Sequence, residues 1–136
     1  IPTSETTTQT QQYNKLNTSK VTEYGIPFSE EGFNRLVGYA SLNLTPEQNQ
    51  RFIRIGTQPR TACEASCGIG TGPAIDSNGE PRCGCEHNYA LIGLMKYLVK
   101  YYGENYTDQQ ILNEVARWKV FFFPQLAESY AKQGGI

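Results

Sequence analysis

Histidine and charge are scarce in this chain, and long apolar runs are missing. His87 is the only histidine, and charged residues make up 18% of the 136 positions. Any Ser-His-Asp site would have to use that one imidazole. Twelve Lys and Arg stand against 13 Asp and Glu, a net charge of -1, with no basic stripe interleaved with aromatics. Nucleic acid is therefore a poor partner. No run reaches the roughly 18 apolar residues a membrane span needs. The longest apolar stretch, Ala90 to Tyr102, is broken by Lys96 and Lys100 at helical spacing. Nor is there a C-x-x-C-H haem attachment site or an internal repeat. Gly68-Ile-Gly-Thr-Gly72 neither follows a strand nor opens a helix, so it does not cradle phosphate. Asp76-Ser-Asn78-Gly79-Glu80 is out of register for a calcium loop and reads as a turn.

What fills the space is Thr, Ser, Asn, Gln and Tyr. That balance, with few Lys, fits an extracellular or cell-surface protein. A chain starting at Ile1, with neither a basic n-region nor an apolar h-region, looks like an exported protein after its leader is removed, and a trimmed chain would look the same. Sequons at Asn17, Asn43 and Asn105 offer positions for N-glycans. Pro46 directly after the second sequon counts against it.

Residues 1–20 read as an extended arm. Thr3 to Gln12 is almost pure Thr, Ser and Gln, with no apolar period of either kind. Threonine favours strands, so the arm is expected as an added edge strand, on its own domain or on a neighbouring copy. Exchange between copies makes a homo-oligomer, and a filament where the rotation does not close.

Residues 21–136 are expected to form a single, mainly α domain with a small β contribution. Ser29 is an N-cap candidate with Glu30 and Glu31 in the first turn, and Phe33, Leu36, Val37 and Ala40 make one face. Thr45-Pro46-Glu47-Gln48 is a capping box with proline at the first helical position. Together these predict a helical hairpin over 29–55. From about His87 a stripe of Leu91, Leu94, Met95, Leu98 and Tyr102 predicts a helix, with Gly103 as its C′ residue. Thr107 to Gln110 is a second capping box, opening a helix that Phe121-Phe122-Phe123-Pro124 stops. A short last helix is expected over 125–132. Between these helices, Thr57 to Gly84 is irregular and glycine-rich, apart from a tight turn at Asn78-Gly79. A loop that long inside one domain needs something to tie it down.

The tie is Cys83-Gly84-Cys85-Glu86-His87. In an extended strand every second side chain shares a face, so Cys83, Cys85 and His87 would present two sulfurs and an imidazole together. Cys63 and Cys67 lie upstream and can close on them, which defines a Cys/His loop over 57–87. These five residues are the candidate metal ligands. Zinc, which takes four N/S donors in a tetrahedron, is the first choice; copper and iron–sulfur clusters use the same donors. The spacings, Cys63-x3-Cys67 and Cys83-x-Cys85, depart from a doubled C-x2-C. The competing reading is two disulfides. An even cysteine count in an exported chain favours oxidation, and a Cys83–Cys85 ring is too strained, so bridges would run from the upstream pair to the downstream pair. Catalytic thiols are a third reading.

The block from Cys83-Gly-Cys-Glu-His87 through Gly93-Leu-Met-Lys-Tyr-Leu98 to Trp118-Lys-Val-Phe-Phe-Phe-Pro124 resembles a group of uncharacterised prokaryotic secreted proteins and lipoproteins. In these a Cys-Gly-Cys-x-His motif opens a helix behind upstream cysteines. The resemblance covers residues 63–124. It implies an exported protein with a metal or redox-sensitive cysteine site, and transfers no activity. The sequence thus points to a structural subunit of an extracellular assembly, not an enzyme, carrying a Cys/His metal site. The alternatives are a monomeric exported metal-handling protein, or the same cysteines as two disulfides without metal.

Overall fold

A computed structural model of the chain describes residues 21–64, 68 and 70–132. The arm over 1–20, with Asn17, lies outside the described residues, as does Cys67. The described residues are mainly helical. Five helices follow in order: α1 (Glu30–Tyr39), α2 (Pro46–Gly56), α3 (Glu86–Tyr102), α4 (Asp108–Phe122) and α5 (Leu126–Lys132). Isolated antiparallel bridges, Val21 with Pro27 and Ile75 with Pro81, are the β contribution.

Four helices start on a side chain that accepts a backbone N–H and so satisfies a donor the helix cannot. Ser29 accepts from Gly32 N. Thr45 and Thr107 each form the full reciprocal box, with Gln48 and Gln110. The fourth cap is Cys85, whose sulfur accepts from Asn88 N. Phe123 ends α4 just before Pro124. Gly103 does not take the left-handed conformation expected of a C′ glycine; its φ is -61°. A side chain there would sit 2.6 Å from Val99 O and against Arg51, whose guanidinium donates to Gly103 O at 2.7 Å, to Tyr106 O, and to Asp108.

The 17-residue α3 is the hub, with Leu91, Leu94, Met95 and Leu98 fully buried. Helices α1, α2 and α4 each pack on it. The hairpin expected over 29–55 is therefore two helices that pack on α3 and not on each other. Gly93 makes this possible: a Cβ there would lie 1.8 Å from Leu36 O, so α1 crosses α3 backbone to backbone. The segment 21–28 folds over the far side, placing Tyr24 and Ile26 in the core and Phe28 against Trp118, ring centroids 4.5 Å apart. No helix of the described residues is long and apolar enough to cross a membrane.

Candidate functional site

The long loop has little regular structure, so polar contacts fix its course. Thr61 Oγ1 lies 2.9 Å from Gly56 O at the end of α2 and accepts from Ala74 N at 2.8 Å. Arg60 N donates to Thr71 O and Ala62 N to Gly72 O, which pairs the outgoing limb with the returning one. The returning limb then turns at Gly79, where Asp76 Oδ1 accepts from Asn78 N and Glu80 N. It comes back with Arg82 N donating to Ala74 O. Asn88, fully buried in the first turn of α3, donates its Nδ2 to both Ala74 O and Cys83 O. Its Oδ1 is buried without a hydrogen-bond partner among the described residues.

This lattice brings the sulfurs of Cys63, Cys83 and Cys85 within 4.8 Å of one another. Cys63 lies on the outgoing limb and is fully buried. Cys83 and Cys85 lie on the entry to α3 and are half-buried. Cys83 is disulfide-bonded. Cys63 Sγ and Cys85 Sγ are 3.4 Å apart, in van der Waals contact but well beyond the ~2.05 Å of an S–S bond. Asn88 N donates to Cys85 Sγ at 3.3 Å.

His87 does not join the sulfurs. The expected strand face requires residues 83–87 to be extended, but α3 begins at Glu86, so His87 already has helical geometry. Its ring sits in an aromatic box, with centroids 5.4 Å from Phe33, 5.0 Å from Phe122 and 4.9 Å from Phe123. Burying the aromatic stretch that ends α4 takes the imidazole with it.

Beside Cys63 lies a charged cluster that motif spacing did not point to. Lys119, fully buried, donates to Arg60 O at 2.8 Å and to the Glu64 carboxylate. Arg60 pairs with Glu64 at 2.9 Å and stacks 3.9 Å over the Tyr130 ring. Burial pulls the Lys119 pKa down to about 8, against the opposing pull of Glu64. Burial would raise the Glu64 carboxyl, but hydrogen bonds from Arg60 and Lys119 outweigh it and hold the group below its ordinary value. Arg60 and Glu64 both have left-handed backbones, φ 66° and 67°, which non-glycine residues seldom adopt. They flank Cys63, so the turn that carries the sulfur is shaped around the buried ammonium. The signal was present in the sequence: Lys119 falls four residues after Val115, on the buried face of α4.

Chemically, the cluster can form disulfides or ligate a soft metal. Three cysteines are close enough to hold an ion. A zinc site needs four donors, and while Cys83 is disulfide-bonded its sulfur is no thiolate. The set fits a metal only once that bridge is reduced. Compared with protein families, with curated proteins and with solved structures, the chain matches none.

Proposed function

We propose that this chain is a structural subunit of an extracellular or cell-surface assembly, its glycine-rich loop stapled to the start of α3 by cysteines. The observation that carries the staple is the convergence of Cys63, Cys83 and Cys85 where the described residues of the loop form no helix or sheet, with Cys83 disulfide-bonded. Bridges running from the upstream pair to the downstream pair satisfy all four cysteines, Cys63 with Cys85 and Cys67 with Cys83. The polar, Thr-rich composition and the resemblance over 63–124 support export. Sequon residues Asn43 and Asn105 are exposed, as glycan acceptors must be.

Assembly is assigned to the arm. Residues 1–20 add as a strand to a neighbouring copy, and head-to-tail repetition gives a filament. Deleting them is the test: native mass and negative-stain microscopy should then find a folded monomer. A truncated chain that still polymerises overturns the arm reading.

A second reading is favoured by the sulfur spacing. Two sulfurs 3.4 Å apart approach the roughly 3.7 Å edge of a tetrahedron with ~2.3 Å zinc–sulfur bonds. In the reduced chain Cys63, Cys83 and Cys85, with Cys67 as fourth donor, would hold zinc and His87 would not. Non-reducing intact mass with elemental analysis separates the readings: two bridges and no metal, or four thiolates and one ion.

A further inference from the structure

We propose that Cys63 and Cys85 are a two-electron thiol–disulfide couple that exchanges with an exposed external disulfide, Cys85 taking the first step and Cys63 the second. The inference does not depend on how, or whether, the chain assembles.

Three features assign the roles. The two sulfurs are already in contact at 3.4 Å, so closing them to a bond requires about 1.4 Å of approach. Their access differs: Cys63 is fully buried, while Cys85 is half-buried. Of the two, an external disulfide can therefore reach only Cys85. Finally, Cys85 Sγ caps α3 and accepts the Asn88 N–H at 3.3 Å, where backbone dipoles favour negative charge on sulfur as it attacks or leaves.

The steps balance. The Cys85 thiolate attacks one sulfur of the external disulfide R–S–S–R; a Cys85–S–S–R bond forms, the R–S–S–R bond breaks, and one RS⁻ departs. Cys63 then attacks Cys85 Sγ as its thiolate. The Cys63–Cys85 bond forms, the mixed disulfide breaks, and a second RS⁻ departs. Two protein thiols are oxidised, one external disulfide is reduced, and the two thiol protons end on the two departing RS⁻ groups. The neighbouring Cys83 is a poor target for Cys85, because a ring closed between positions i and i+2 is strained. The bridge at Cys83 thus stays out of the exchange.

The full-length chain, equilibrated in glutathione buffers of graded reduced-to-oxidised ratio, quenched and alkylated, tests this by peptide mass mapping. Cys63 and Cys85 should lose alkylation together in one step. Cys63→Ser should trap glutathione on Cys85, whereas Cys85→Ser should leave Cys63 without an adduct. If either variant fails to fold, judged by circular dichroism, the wild-type chain quenched during oxidation decides. A transient adduct confined to Cys85 supports the couple. Adducts on Cys63, alkylation of both cysteines at every ratio, or a stoichiometric metal shielding both would each overturn it.

Discussion

Tyr24 Oη donates to Glu114 Oε1 at 2.6 Å, joining two residues 90 positions apart in the chain. The same hydroxyl accepts from Trp118 Nε1 at 3.0 Å. Burial raises both the Tyr24 and the Glu114 pKa, so the hydrogen bond joins two groups that gain from sharing a proton. Tyr24→Phe keeps the ring but leaves a buried indole N–H without its acceptor and a buried carboxylate short of a donor. We expect a loss of about 1–3 kcal/mol, read as a lower urea midpoint with an unchanged m-value.

The crossing of α1 over α3 rests on one missing methyl. Gly93→Ala would place a carbon 1.8 Å from Leu36 O and 2.9 Å from Ala40 N, both backbone atoms that cannot swing aside. The helices must separate, at a cost of about 3 kcal/mol or more. Gly38→Ala is the control, because a Cβ there meets nothing within 4 Å. Thermal unfolding of the two variants should differ widely; similar melting temperatures would mean that α1 does not dock this closely.

Asp108 should give stability an acid-side slope. Hydrogen bonding from Arg54, assisted by Arg51, holds its carboxyl below the ordinary value despite some desolvation. Its folded pKa therefore lies below the unfolded value of about 3.9. Between the two the unfolded chain binds the extra proton, so the contribution is full above about pH 4 and disappears as pH falls through the folded pKa. Unfolding free energies of wild type and Asp108→Asn should differ at neutral pH and converge as the pH falls through the folded pKa of Asp108. A gap that persists in strong acid would assign the role to something other than charge.

A bridge between Cys63 and Cys85, 22 residues apart, should stabilise the fold by about 3 kcal/mol through the shorter unfolded loop. The measurement compares urea midpoints of oxidised and reduced wild type with those of a Cys63→Ser, Cys85→Ser double variant. If the double variant shows the same redox difference, the Cys83 bridge carries all of it.

Much of this architecture can be read from spacing alone. Both capping boxes, the Ser29 cap and the apolar stripe of α3 are local signals, and tertiary structure had no reason to override them. The hairpin was less legible because helix pairing depends on which faces can approach, and Gly93, far along the chain from Leu36, decides that. At the cysteines, spacing identified the sulfurs that meet but misjudged the backbone between them. A sulfur can serve as an N-cap, so α3 starts one residue after Cys85 and His87 turns toward phenylalanines contributed by α1 and the end of α4. The ion cluster around Lys119 depends on left-handed turns at Arg60 and Glu64, and no local pattern announces those in residues other than glycine.

Tyr24 also determines how the chain would carry load. It sits three residues after Val21, wedged among the rings of Tyr97, Tyr102 and Tyr106 with centroids 6.1–6.4 Å away. Between them, the Thr22 hydroxyl and amide close a tight turn on Ile26. Tension applied upstream of Val21 first meets that turn and then the Tyr24 plug, which passes it through Glu114 and Trp118 into α4. Under such a pull the fold would yield at that turn and at one tyrosine before α4 unwound.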